Sequence, residues 1–241
     1  MRLALRARED QEFTDFLSDF LKLAGTGIDN IQCISEELNP EKHLNNLPND
    51  LREMISQDIE AEQFSTLYLQ GPGEFFTIHR SKQGVLTYVR LLTEHHRTDG
   101  CAISFETAVE SDGTRRLMDL APMLLDVWGR DRVFVIDELD RSLHTHLSRL
   151  FLQTCLASIT AKHAQGQFIL TTHDTNLLDR DLLRRDEIWF MEKDDAGASH
   201  LSSLAEYKVT EGLNYENGYL NGRFGAIPFI GNINDLLREE N

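Results

Sequence analysis

The chain has 241 residues, 41% of them hydrophobic and 27% charged, with 15 Gly and 5 Pro, the composition of a globular protein with a real core. Forty acidic residues against 24 Lys plus Arg give a net charge of −16, which opposes binding of a nucleic-acid backbone by the overall surface. No apolar run nears the roughly 18 residues needed to span a membrane. The opening MRLALRARED lacks the apolar core of a secretory signal, and Cys33, Cys101 and Cys155 are odd in number and widely spaced. Together these features predict a reduced, cytoplasmic compartment.

In chain order, Phe13, Phe16, Leu17, Phe20 and Leu21 recur at helical spacing and predict a helix over 11–23, stopped by the glycines of GTG. IDNIQCI predicts a short strand. Across 41–64 a polar, acidic text carries Leu47, Leu51, Met54, Ile55 and Ile59 on one helical face, as in an amphipathic helix of a protruding subdomain. TLYLQ, EFFTIHR and VLTYVRLL, broken by GPG and KQG, predict a hairpin or small sheet. CAISFE is a further strand, leading into a helix with Leu117, Leu120, Leu124, Val127 and Trp128 inward and Pro122 bending it.

The strand VFVI, 133–136, is continuously apolar, as expected when both faces of a parallel strand are covered. A helix over about 143–164, the apolar strand QFILTT, a short helix carrying Leu177, Leu178 and Leu182, and the strand EIWFMEK follow. The tail reads as a glycine-rich passage and a last helix. Buried strands alternating with helices of 10–20 residues predict an α/β layered sheet.

Three short motifs carry chemistry. Asp137 and Glu138 stand at the carboxyl end of a predicted parallel strand, where open α/β sheets gather ligands. Such a pair can divide metal binding from orientation of an attacking water, or it can simply mark the strand's exit. His173 follows a second such strand directly; a hydrogen-bonded structural histidine is the plain alternative. ESDGT, 110–114, opens a helix and presents free backbone N–H groups at its positive end, as a phosphate site or as an ordinary N-cap by Ser111 or Asp112. His144 and His146 read as a cap or a solvated face rather than a metal pair.

In the order ESDGT, VFVIDE, LTTHD, these motifs resemble the signature loop, Walker B strand and switch-histidine loop of ABC-type ATPases. The likeness is to the soluble RecF/SMC-like branch, often labelled AAA family ATPase or ATP-binding protein and found in abortive-infection and anti-phage systems. DELDRSLH, THDTNLLD, DEIWFMEKD and GYLNGRFGAIP extend the resemblance over about residues 100–230. It implies the C-terminal lobe of a P-loop NTPase over 101–241, with parallel strands covered by helices. Residues 1–100 then form a smaller, variable insertion of helices and a small sheet.

The resemblance further implies ATP and Mg²⁺ as cofactors. Asp137 would bind the metal, directly or through water, Glu138 would position the hydrolytic water, and His173 would contact the γ-phosphate. Ser111, Gly113 and Asp112 would meet a nucleotide held by a partner subunit. Asp140 and Ser142 would lie in the loop where paired subunits sense each other. Arg223 is a family-pattern residue, open between a structural ion pair and catalysis. The partner would be a second copy or a P-loop-bearing subunit, with an effector protein beyond it. The sequence holds no G-x-x-x-x-G-K-[ST]: AGTGIDN lacks the lysine and the spacing, and QGPGEFF lacks the lysine and the Ser/Thr. The chain therefore reads as the C-terminal half of an ATPase, from a truncated gene, a split gene or a fragment. Two further readings stay open: a non-catalytic interaction or dimerisation module that keeps the fold, and a metal-dependent nuclease built on Asp137, Glu138 and Asp140 or on Glu192, Asp194 and Asp195.

Overall fold

The computed structural model describes residues 3–45, 47–60, 66–71, 74–127, 132–162, 166–209 and 212–227. It divides into two compact units, Met1–Leu170 and Thr171–Asn241.

In the first unit, helix α1 (Leu3–Glu9) leads into α2 (Gln11–Leu23). The Asp10 side chain caps α2 by accepting the Phe13 N–H at 2.9 Å, and Phe13, Leu17, Phe20 and Leu21 turn inward. Thr14 Oγ1 donates to the Ala7 carbonyl at 3.0 Å, tying α2 back to α1. The unit's sheet comprises β1 (Asn30–Glu37), β2 (Thr66–Gly71), β3 (Glu74–Arg80), β4 (Leu86–His96) and β5 (Ala102–Glu106), all antiparallel. One edge of β4 pairs with all of β1. Its other edge serves β3 first, with Phe76 opposite Arg90, and then β5, with Leu92 opposite Glu106. The turn at 97–101 joins β4 and β5, two neighbouring strands of one sheet.

Between β1 and β2 lie α3 (Pro40–His43) and α4 (Asn49–Glu60). Ile55 of α4 is fully buried in a cluster with Leu44, Phe76, Ile78 and Tyr88, so the polar helix docks on the sheet by one apolar face.

Past β5 the chain enters α5 (Asp112–Asp126), continuous through a buried Pro122. Asp126 accepts from Arg6 at 2.7 Å and from Arg132 at 3.0 Å, which fastens the far end of α5 to α1 and to the residue ahead of β6 (Val133–Ile136). Helix α6 (Thr145–Lys162) then leads to β7 (Gln167–Leu170), which pairs in parallel with β6. One face of this pair is packed: Phe134 stacks on Phe168 at 5.2 Å, and Phe151 of α6 meets Phe168 edge-on at 6.3 Å. The other face is open. Val133, Val135 and Ile169 are 57%, 72% and 56% exposed. The expected cover of helices on both faces is thus corrected to cover on one face among the described residues. Leaving such side chains in water forgoes the about 1.5–3 kcal/mol each that full burial supplies.

The second unit holds the antiparallel hairpin β8 (Trp189–Lys193) and β9 (Ser199–Ser203) and the short α7 (Tyr215–Leu220). The helix expected around Leu177, Leu178 and Leu182 is a single 3₁₀ turn, Thr175–Leu177, capped by the Asp174 carboxylate. Its core is aromatic: Phe190 stacks on Phe224 and on Tyr219, each at 5.5 Å. Tyr207 donates to the Phe224 carbonyl and Tyr219 to the Ala226 carbonyl, both at 2.8 Å, which pins the glycine-rich passage. The expected last helix lies outside the described residues. Among those described, no helix is long and apolar enough to cross a membrane.

Candidate functional site

β6 ends at the buried Ile136, and the next two side chains, Asp137 and Glu138, are exposed. Their placement comes from a turn rather than from strand alternation. Glu138 has φ +49° and Ser142 has φ +62°, both in the left-handed region that non-glycine residues enter only when their surroundings hold them there. Two hydrogen bonds close the turn, Arg141 N–H to the Glu138 carbonyl at 3.0 Å and Leu143 N–H to the Asp140 carbonyl at 2.9 Å. The fully buried Leu139 anchors it to the core. The acids are thus held outward by a tight, anchored loop.

The start of α5 meets that loop. Ser111 is the N-cap, its Oγ accepting the Thr114 N–H at 3.1 Å, and Asp112 in the first turn pairs with Arg115. Gly113 lies so close to the loop that a Cβ there would stand 2.8 Å from the Ser142 carbonyl oxygen. One turn on, Arg116 Nη2 donates to the carbonyls of Asp137 at 3.1 Å and Glu138 at 3.2 Å. On the sheet side, Glu110 accepts from Thr93 Oγ1 at 2.5 Å and pairs with His95 Nε2 at 2.7 Å. The ESDGT segment is therefore gripped by the antiparallel sheet behind it and by the DELDRS loop beside it.

Of the residues singled out from sequence, the structure brings together Ser111, Asp112 and Gly113 with the loop bearing Asp137, Glu138, Asp140 and Ser142. His173 is placed by the second unit, exposed and just ahead of the Asp174-capped turn. His144 Nδ1 accepts the His146 N–H at 3.2 Å, a cap at the start of α6. Arg223 donates to the Lys208 carbonyl at 3.2 Å, a backbone contact rather than an ion pair. Asp194 is committed to its own hairpin. It accepts the Ala196 and Ala198 N–H groups at 2.9 Å and pairs with His200 at 2.8 Å, and its carboxyl is held below its ordinary value chiefly by His200. Among the described residues no group of three or more His, Cys, Asp or Glu is arranged to hold a metal. Arg116 and the His95–Glu110 pair escaped the sequence reading. The double arginine after SDGT was the one visible hint, since Arg115 and Arg116 point about 100° apart on a helix.

Among the described residues, seven α-helices and several sheets make a mixed α/β arrangement, consistent with a P-loop NTPase-like AAA domain. The sequence profile of the family described as "AAA domain, putative AbiEii toxin, Type IV TA system" matches residues 5–179, well over half of the chain, and the chain belongs to that family. It is accordingly an ATPase-family, nucleotide-binding type of domain. No curated protein sequence matches the chain.

Proposed function

We propose that this chain supplies the C-terminal part of an ABC-type ATPase of the RecF/SMC-like branch and works in a composite, dimeric nucleotide site. The observation that carries the reading is the packing of the ESDGT turn against the loop of Asp137 and Glu138, through Gly113 against Ser142 and Arg116 onto two carbonyls. That packing makes the two motifs one surface with a division of labour. Glu138 orients and deprotonates the attacking water. Ser111, Asp112 and Gly113, at the positive end of α5, face the γ-phosphate of a nucleotide held by the partner subunit. Asp140 and Ser142 read the partner's approach, and His173 contacts the γ-phosphate.

A donor set of two carboxylates fits Mg²⁺, which binds through one or two carboxylates plus phosphate oxygens and water rather than in an all-protein cage. Asp137 would hold it, and bound there it would neutralise charge on the phosphates. The lysine and glycine cradle for those phosphates is not in this sequence, so a P-loop-bearing segment from elsewhere would complete the site. The open apolar face of β6 and β7 supports that view, because a parallel pair is normally covered on both faces. The family description points to a toxin–antitoxin or abortive-infection setting, in which the ATPase would control an effector protein.

The test is ATP hydrolysis by the purified chain, alone and with an added P-loop-bearing polypeptide. Turnover near background alone and restored by the partner is expected, with Glu138→Gln lowering it by about 10²–10⁴-fold and His173→Ala abolishing most of it. Steady turnover by the chain alone, lost in Glu138→Gln, would remove the need for a second segment. Restored turnover indifferent to both substitutions would refute the ATPase reading. A passive pairing module is the second reading, favoured by the same open face; there, binding of the partner is independent of ATP and of both residues.

A further inference from the structure

Arg116 reaches the acidic loop beside it through the backbone. Nη2 donates to the carbonyls of Asp137 and Glu138, at 3.1 and 3.2 Å, while Nε is enclosed without a hydrogen-bond partner among the described residues. Those two carbonyls belong to the peptide groups on either side of Glu138. A single donor nitrogen holding both fixes the two peptide planes that define the Glu138 backbone, the residue with φ +49°. The Glu138 carbonyl also accepts the Arg141 N–H, so both of its lone pairs are used. Arg116 lies one helical turn beyond Gly113, whose own backbone abuts the Ser142 carbonyl at the other end of the same loop.

We infer that Arg116 is a positioning residue: it sets the direction in which the Asp137 and Glu138 side chains leave the backbone and locks that direction to the start of α5. The inference rests on the ATPase reading above. Under it, a partner nucleotide that shifts the ESDGT turn shifts the hydrolytic carboxylate with it, so that engagement of one site aligns the acids of the other. Arginine suits the task because its guanidinium stays charged and donates in a fixed plane.

The test uses the full chain as Arg116→Met, Arg116→Lys and Glu138→Gln. Hydrogen exchange of the Leu139–Leu143 amides is followed in the chain alone, and ATP turnover is followed with the P-loop-bearing partner. Arg116→Met is expected to speed exchange in that loop, leave exchange in α2 and β4 unchanged, and lower kcat by about 10–10²-fold with KM for ATP within about twofold, as expected for a small misplacement of a catalytic group. Arg116→Lys, which keeps a charged donor without the fixed plane, is expected to restore part of kcat. If Arg116→Met keeps wild-type kcat while Glu138→Gln is inactive, the ATPase reading stands and the positioning role is refuted. If Arg116→Met instead raises exchange throughout the unit and lysine gives no rescue, the residue is merely structural and the inference is equally refuted. If Glu138→Gln is without effect, the ATPase reading fails and takes the inference with it.

Discussion

Gly113→Ala is the most direct probe of the contact between α5 and the acidic loop, because helix propensity and packing predict opposite signs. Alanine in a helix is ordinarily favoured over glycine by about 0.5–1 kcal/mol. Here the new Cβ would lie 2.8 Å from the Ser142 carbonyl oxygen, roughly half an ångström inside a comfortable contact. The obstacle is backbone, not the end of a flexible side chain, and that backbone is already at φ +62° and tied by the bond from Leu143 N–H to the Asp140 carbonyl. Overpacking against a fixed group costs about 1–3 kcal/mol, so the net effect is a loss of about 0.5–2 kcal/mol. For a chain of this size that corresponds to a fall in Tm of roughly 1–8 °C. Urea and thermal melts followed by circular dichroism measure it. Ser142→Gly, which adopts positive φ without strain, should relieve part of the loss in the double variant, giving a non-zero coupling energy. A Gly113→Ala protein as stable as wild type or more so, with no coupling to Ser142, would refute the close approach.

Two further outcomes follow from single groups. Asp29 accepts from His96 Nδ1 at 2.9 Å and pairs with Lys22 at 3.3 Å, and its carboxyl is held below its ordinary value, chiefly by the His96 hydrogen bond. A depressed carboxylate contributes stability that is complete above its unfolded-state value and lost as pH falls through the folded one. The stability gap between wild type and Asp29→Asn should therefore be constant at neutral pH and close in the acid range below pH 4, and an NMR titration placing Asp29 at or above an ordinary carboxylate would contradict this. Among the thiols, Cys101 is exposed, Cys33 is half-buried with its acidity weakened by burial, and Cys155 is 2% exposed with its thiol pushed far up by desolvation. A thiol reagent at neutral pH should modify Cys101 first, Cys33 more slowly and Cys155 only on unfolding; native Cys155 reacting as fast as Cys101 would overturn the packing of α6.

Elements with a strong periodic signal were legible residue by residue. The spacing of Phe13, Leu17, Phe20 and Leu21 predicts α2 at its observed bounds, Gln11–Leu23, because one buried stripe decides that helix. The hairpin strands around GPG and KQG appear as read, and so does β5. α1 was missed because LALRARE is short and rich in arginine, and its stability comes from tertiary contacts such as Arg6 with Asp126 and Arg6 over the Phe13 ring at 4.4 Å. β9 was missed because SHLSS has one large apolar residue, Leu201, and forms by pairing with β8 rather than by its own pattern. The candidate site divides the same way. Residue types with chemistry, Asp137, Glu138 and Ser111, stand out in one dimension. What holds them does not, since Arg116 acts on carbonyls, which every residue carries and no pattern marks.

Gly113 and the β6–β7 pair show how one residue pattern can serve more than one physical need. The resemblance implies that Gly113 meets a nucleotide held by a partner subunit, and in the structure it is also the room that lets α5 touch the loop at Ser142. Both needs can hold at once, because they use different sides of one residue without a side chain. The apolar runs VFVI and QFIL encode two covered faces, and α6 supplies a cover for only the face of Phe134 and Phe168. Val133, Val135 and Ile169 then stand in water on the other face, three β-branched residues on two short strands, a pattern that packing among the described residues does not explain. A sequence that keeps those positions apolar while spending 40 acids elsewhere places its hydrophobes where a neighbour would bury them. That neighbour would sit against the strand that ends in Asp137 and Glu138, so under the proposed reading completion of the fold and completion of the nucleotide site are the same event.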